Sequence, residues 1–369
     1  MTGNYVKEEF GMKKMVSILL ASAMIFSLTA CGGGSAASSA AAPQAEEQKT
    51  ETAAAETGDA AQTAGSIGFV ADETLTMVVP GKAGGGSDLA IRYYAQALTD
   101  VYGLKTTVTN YDSNTIGHQM VKDAKPDGTT LTLATGALNI QYITGNSDID
   151  PMNDFTLIAC MQDNGYSALA VPKDAPYDDF AGFVEYAKAH PGEINVGMPA
   201  AGSNTFLFGK LTSATGIELN PVEMASESDR LTNLAGGFID IGVVGVGHGY
   251  EYEQAGKLKV IGTVASDGTT IAGYPEALPD NYKTLQEQGF QDCYYNVYHY
   301  LLGPAGMDET MVKEMNAAME AIYEKTKDDI SKIGNIPGWH DLEESQKIRE
   351  TEYQDLVEIS KLIGLYKQG

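Results

Sequence analysis

Basic residues are scarce in this sequence: 24 Lys and Arg stand against 49 Asp and Glu, a formal net charge of −25 over 369 residues. That balance argues against nucleic acid as a partner, since phosphate binding needs a clustered basic surface. Cysteine is nearly absent, with Cys31, Cys160 and Cys293 only. No C-x-x-C pair occurs, and His118, His190, His248, His299 and His340 stand singly, so no zinc-type spacing exists and no metal or other cofactor is expected. Long apolar runs are missing as well. The uncharged stretch over 15–30 has 16 residues, short of the roughly 20 that a spanning helix needs. Signatures of catalysis are also lacking: there is no G-x-S-x-G elbow and no G-x-x-x-x-G-K-[ST] loop. Gly245-Val246-Gly247-His248-Gly249 is glycine-rich but has the wrong spacing for a dinucleotide. The pairs Asp148/Asp150 and Glu343/Glu344 sit in turn-like or helix-start contexts and read as solvated carboxylates. The expectation is a protein that is not an enzyme.

What is present begins with Lys13 and Lys14 before the apolar run, which ends in Leu28-Thr29-Ala30-Cys31. A basic segment, an apolar segment and a small-residue site make residues 1–30 a secretory signal. The ending resembles the bacterial lipobox, which makes Cys31 the lipidated first residue of the mature chain. Residues 31–71 are mostly Gly, Ser, Ala, Gln, Glu and Thr, too poor in large apolar side chains to fold, and read as a flexible linker. The globular part is therefore expected outside a membrane, held to the bilayer by the Cys31 lipid. In an exported chain Cys160 and Cys293 read as two buried thiols, with a disulfide as the alternative.

From residue 73 strand-like runs alternate with helical periodicity. Leu75-Thr76-Met77-Val78-Val79 is a β-rich run stopped by Pro80, and apolar positions over 89–98 follow helical spacing. Further strands are read at 106–109, 130–134, 168–171, 194–198, 239–244 and 259–264, and helices at 180–189, 205–214, 308–327 and 343–363. This alternation predicts an α/β fold with largely parallel sheets, in which ligands sit beyond strand ends at helix N-termini.

Three loops fit that position. The first is Lys82-Ala83-Gly84-Gly85-Gly86-Ser87-Asp88, whose glycines allow close backbone approach while the following helix offers unpaired N–H groups. Ser87 and Asp88 are equally good helix caps, and Asp88 with Arg92 makes an i,i+4 pair. The second is Thr135-Gly136-Ala137, after a strand. The third is Ser203-Asn204-Thr205, entering a helix with two hydroxyls and an amide.

These segments resemble, from about residue 74 to the C-terminus, the substrate-binding proteins of tripartite tricarboxylate transporters, the Bug-like family. The likeness rests on Pro80, Ala83-Gly84-Gly85, Asp88 and Arg92, and on Pro126-Asp127-Gly128-Thr129-Thr130-Leu131. It continues through Asp154-Phe155-Thr156-Leu157-Ile158-Ala159, Tyr186-Ala187-Lys188-Ala189-His190-Pro191-Gly192 and the segment from Leu231 to Asp240. Ala255-Gly256-Lys257-Leu258-Lys259 and Gly303-Pro304-Ala305-Gly306 complete the series. The resemblance implies a two-lobed Venus-flytrap, 72–168 with 297–369 as one lobe and 169–296 as the other, joined by two hinge-connecting strands. It also implies a small carboxylate ligand, a di- or tricarboxylate or similar organic anion, held by backbone N–H groups and hydroxyls of the three loops. The implied partner is the membrane permease of the transporter, the binding protein itself being a monomer. A sensory receptor of the same fold that signals to a membrane kinase is the alternative. The sequence departs from the family where a Val-Pro-Tyr-x-Gly loop is usual: Val222-Glu223-Met224-Ala225-Ser226 stands there, and Glu223 and Glu227 add negative charge. Tyr298 replaces the family's tryptophan in the second hinge region. These departures bear on the ligand's identity and not on the fold.

Overall fold

A computed structural model of the chain describes residues 67–70, 72–163, 167–224, 226–265, 279–333 and 335–367. The signal run, Cys31 and the linker as far as residue 66 lie outside the described residues. In chain order the elements are β1 (Thr74–Val79), α1 (Gly86–Tyr102), β2 (Lys105–Asn110), α2 (Asn114–Lys122), β3 (Thr130–Thr135), α3 (Gly136–Ile143) and β4 (Phe155–Asp163). There follow β5 (Ser167–Pro172), α4 (Phe180–Ala189), β6 (Ile194–Met198), α5 (Ser203–Thr215), β7 (Leu219–Glu223) and α6 (Glu227–Ala235). The chain ends with β8 (Ile241–Gly245), α7 (Val246–Gln254), β9 (Leu258–Thr263), β10 (Tyr298–Pro304), α8 (Glu309–Lys332), β11 (Ile336–His340) and α9 (Leu342–Leu362).

The strands form two sheets, in the orders β11-β4-β10-β3-β1-β2 and β7-β6-β8-β5-β9. Both are mixed, where the sequence pattern predicts largely parallel ones. β1 runs parallel to β2 and β3, but β10 is antiparallel to β3 and β4, and β11 to β4. In the second sheet β6 is parallel to β7 and β8, while β5 is antiparallel to β8 and β9. The reason is connectivity. Parallel neighbours need a crossover helix, whereas β4 leads to β5 of the other sheet, and β10 belongs to the first sheet after β9 of the second, with no α-helix described between either pair. No helix among the described residues is long and apolar enough to cross a membrane.

Each sheet carries its own core. Leu75 and Met77 of β1 and Leu131 and Leu133 of β3 pack under Ile91, Tyr94 and Leu98 of α1 and Met315, Met319 and Ile322 of α8. Burying a side chain of that size contributes about 1.5–3 kcal/mol. In the second sheet Leu169, Val171, Val196 and Val243 meet Phe180 and Phe183 of α4 and Leu207, Phe208 and Leu211 of α5. Between the two, Phe206 of α5 packs with Ile140 and Ile143 of α3 and with Leu356, Val357 and Ile359 of α9. Cys160 and Cys293 are both buried and not bridged to each other. Polar pairs at turns behave locally: Asp150 accepts from Met152 N–H at 2.8 Å, and Glu343 and Glu344 open α9.

One close approach places the loop after β1. A Cβ on Gly117 of α2 would lie 2.6 Å from Pro80 Cα, so only glycine lets the helix backbone abut the end of the strand.

Candidate functional site

β1 stops at Pro80, and Gly84 at φ 85° turns the chain into α1. The N-cap is Gly85, which has no side chain to satisfy the first turn, so the N–H groups of Gly86, Ser87 and Asp88 lack intrahelical partners. Asp88 does not cap the helix in the usual sense. It is 2% exposed, and its carboxylate accepts from Gly84 N–H at 2.8 Å, Arg92 Nε at 3.0 Å and Asn110 Nδ2 at 2.9 Å. Burial pushes its carboxyl pKa up, but those hydrogen bonds and the Arg92 charge outweigh burial and hold it below the ordinary value. Its work is to fix the loop.

Ser87 Oγ lies 3.3 Å from His299 Nε2 on β10. His299 is buried, its Nδ1 has no partner among the described residues, and burial pushes its pKa down to about 4, so the ring is neutral at pH 7. Across the sheet His299 stands opposite Thr135 on β3 and Gln162 on β4. Lys82, Ala83, Gly85, Gly86, Ser87, Asp88 and Thr135 share one cavity of about 310 Å³, to which α2 adds Asn114 and His118. Thr135, Gly136 and Ala137 form no loop, since β3 passes directly into α3. Thr135 is the N-cap and accepts from Ala137 N–H at 3.3 Å. Gly136 is covered by Glu352, whose Oε1 would lie 2.9 Å from a Cβ there.

The third predicted loop opens α5 behind the N-cap Gly202. Its three side chains separate. The Ser203 hydroxyl lies beside the buried Tyr295 phenol, and Thr205 Oγ1 donates to Pro199 O at 2.6 Å and faces a different, mostly apolar cavity. Only Asn204 lines the cavity of about 560 Å³ beside α6 and α7, with Glu227, Arg230, Gly245, His248 and Asn335. The Ser203–Thr205 turn and the Ala83–Ser87 loop thus border separate cavities. Asn335, just before β11, links them: it lines the larger one, and its Nδ2 would lie 3.9 Å from a Cβ on Gly86.

Sequence reasoning missed His299 and Asn335 entirely, since neither lies in a glycine-rich or helix-opening pattern. Glu227 was visible only as an added charge, and His248 only within a glycine-rich run. Glu227 Oε1 accepts from Gly245 N–H at 2.7 Å and pairs with His248 Nδ1 at 3.0 Å. Arg230 beneath it is buried, with Nε donating to Val243 O at 2.7 Å and Nη1 to Met224 O at 3.3 Å. Among the described residues no three His, Cys, Asp or Glu converge as metal ligands do.

The chain is similar to known proteins over most of its length. It is 26% identical to the "UPF0065 protein in gbd 5'region" of Cupriavidus necator over 251 residues, 67% of this chain and 73% of that one. Its fold is similar to a TctC solute binding protein from Polaromonas, with a TM-score of 0.65, 23% identity, and 79% of this chain and 98% of that one covered. It is also similar to an R. palustris protein solved with adipate, with a TM-score of 0.64, 21% identity, and 79% and 97% covered. The profile of the family described as "Tripartite tricarboxylate transporter family receptor" (TctC) matches residues 90–329. By that match, and with a two-sheet α/β fold of the same kind, the chain belongs to the tripartite tricarboxylate transporter receptor family, whose members are extracytoplasmic solute-binding proteins rather than enzymes.

Proposed function

We propose that this protein captures a small organic carboxylate at the first turn of α1 and delivers it to the membrane permease of a tripartite tricarboxylate-type transporter. The observation that carries the reading is the α1 entry: three first-turn N–H groups behind a side-chain-free N-cap, beside a cavity and fixed by the buried Asp88. Backbone donors of this kind hold an anion without a basic side chain, which matters in a chain of net charge −25. The R. palustris relative solved with adipate is consistent with a carboxylate. Residues 72–168 with 297–369 act as one lobe and 169–296 as the other, closing over the ligand. Lys82 at the loop edge adds a positive charge beside the carboxylate.

Gly85→Val tests the site. Gly85 has φ −78° and ψ 165°, a conformation open to any residue, and a Cβ there meets only Lys82 O at 3.7 Å. The variant should fold normally and lose measurable binding in calorimetric titration with a panel of succinate, adipate and citrate, because the isopropyl group blocks approach to the N–H groups. Affinity equal to the parent's would place the ligand elsewhere.

The lipid anchor at Cys31 is part of the same reading, since a receptor tethered by a linker stays near its permease. Cys31→Ser should leave the protein in the soluble fraction after cell lysis. A variant that remains in the membrane fraction with its signal uncut would instead be held by the apolar run itself.

A further inference from the structure

The cavity beside α6 and α7 holds a carboxylate oxygen that the fold does not use. Both hydrogen bonds to Glu227, from Gly245 N–H and from His248, fall on Oε1. Among the described residues Oε2 accepts none, and the side chain is 34% exposed on the wall of the 560 Å³ cavity. Glu251 adds a second carboxylate to that wall. Of its cations, Lys332 is paired with Asp329 at 2.8 Å, and the buried Arg230 gives its Nε and Nη1 to backbone carbonyls while its charge acts on Glu227 and Asp229. Gly245, the N-cap of α7, gives its N–H to the protein's own Glu227 carboxylate, which sets that negative charge at the mouth of the helix. Asn335 lies between this cavity and the first turn of α1. It is 7% exposed, and among the described residues its Nδ2 has no partner, a buried donor that calls for an acceptor.

We propose that the ligand carries a cationic amine as well as a carboxylate, with Glu227 as the residue that selects the amine. The carboxylate meets the first turn of α1 and Asn335 Nδ2, and the ammonium meets Glu227 Oε2. A dicarboxylate would instead set its second charge against Glu227 and Glu251. This inference rests on the carboxylate reading above.

The test is calorimetric titration of the parent and Glu227→Gln with matched pairs: 4-aminobutyrate against succinate, 6-aminohexanoate against adipate, and glutamate as an α-amino acid. The amide retains an oxygen for Gly245 N–H and His248, so the fold is kept, which the thermal unfolding midpoint checks. In the parent at least one amine-bearing acid should bind about tenfold to hundredfold more tightly than its matched dicarboxylate, as one charge-assisted hydrogen bond implies. In Glu227→Gln that gap should close or reverse. Dicarboxylates that bind the parent as tightly as the amino acids, or a preference unchanged by Glu227→Gln, would overturn the inference while leaving the carboxylate reading intact. Absence of binding by every acid to both proteins would overturn the carboxylate reading and this inference with it.

Discussion

Asp88→Ala is expected to lower the unfolding free energy by about 3 kcal/mol and to abolish carboxylate capture. Three donors lose their acceptor at once: Gly84 N–H, Arg92 Nε and Asn110 Nδ2. Hydrogen bonds to a charged group contribute about 1.5–3 kcal/mol each, but Arg92 is 47% exposed and regains water, so the sum falls well short of three full bonds. The functional loss exceeds the loss of stability because the Asp88 bond to Gly84 N–H holds the glycine turn against α1. Asp88→Asn keeps one acceptor and should retain part of the stability. The sign of the pH effect follows from the carboxyl's lowered pKa. The ionised form contributes stability above the ordinary carboxylate value, and that contribution is lost as pH falls through the folded-state value. Urea unfolding at neutral pH checks the magnitude, and a parent-like midpoint in Asp88→Ala would refute the argument.

A second large effect is expected at mildly acid pH. Burial pushes His118 and His299 from an ordinary 6.5 down to about 4. Among the described residues both ring nitrogens of His118 and Nδ1 of His299 lack partners, and no carboxylate pairs with either ring to offset the cost of a buried charge. Between pH 6.5 and about 4 the unfolded chain binds protons that the folded chain refuses, so stability rises with pH there and falls on acidification. Each histidine contributes a slope of about 1.4 kcal/mol per pH unit. His118→Met removes one of the two and fits a site bounded by Phe155, 6.3 Å away centroid to centroid. Denaturation midpoints at pH 7, 5.5 and 4.5 should fall steeply for the parent and less steeply for His118→Met, in which His299 and the half-buried His340, also held below its ordinary value by burial, still resist protonation. The Asp88 contribution is lost at lower pH, so the two effects separate on the pH axis. A parent protein of constant stability across pH 6.5–4.5 would contradict the assignment.

How much of this was legible from the chain depends on the distance over which each feature is built. The strand ended by Pro80, the helix after Gly85, and the helices read at 180–189 and 205–214 follow from local patterns of apolar residues, caps and glycines. The strand and the two later helices lie within a residue or two of expectation, while α1 extends three residues before and four beyond the 89–98 pattern. The family likeness was legible for the same reason, since its motifs are short runs that turn chemistry constrains. The helix over Asn114–Lys122 was missed because its nine residues carry only a short apolar pattern, with Ser113 as the sole cap signal. The Thr135 segment was read as a loop because Gly136 looks like a turn residue, although Thr135 serves as an N-cap.

The chain alone therefore determined the α/β alternation, the α1 entry loop and the family, all of which depend on neighbours within a few residues. Only the tertiary structure decided that the sheets are mixed, because strand direction depends on which sheet a segment joins and not on its own residues. It alone brought Ser87 to His299, 212 positions away, and set Glu227 against Gly245 and His248. It also divided the third loop, turning Ser203 and Thr205 to internal partners and leaving Asn204 at the cavity. Such pairings arise from packing between distant elements, and the energy of burying a group and leaving it unpartnered exists only once those elements have met.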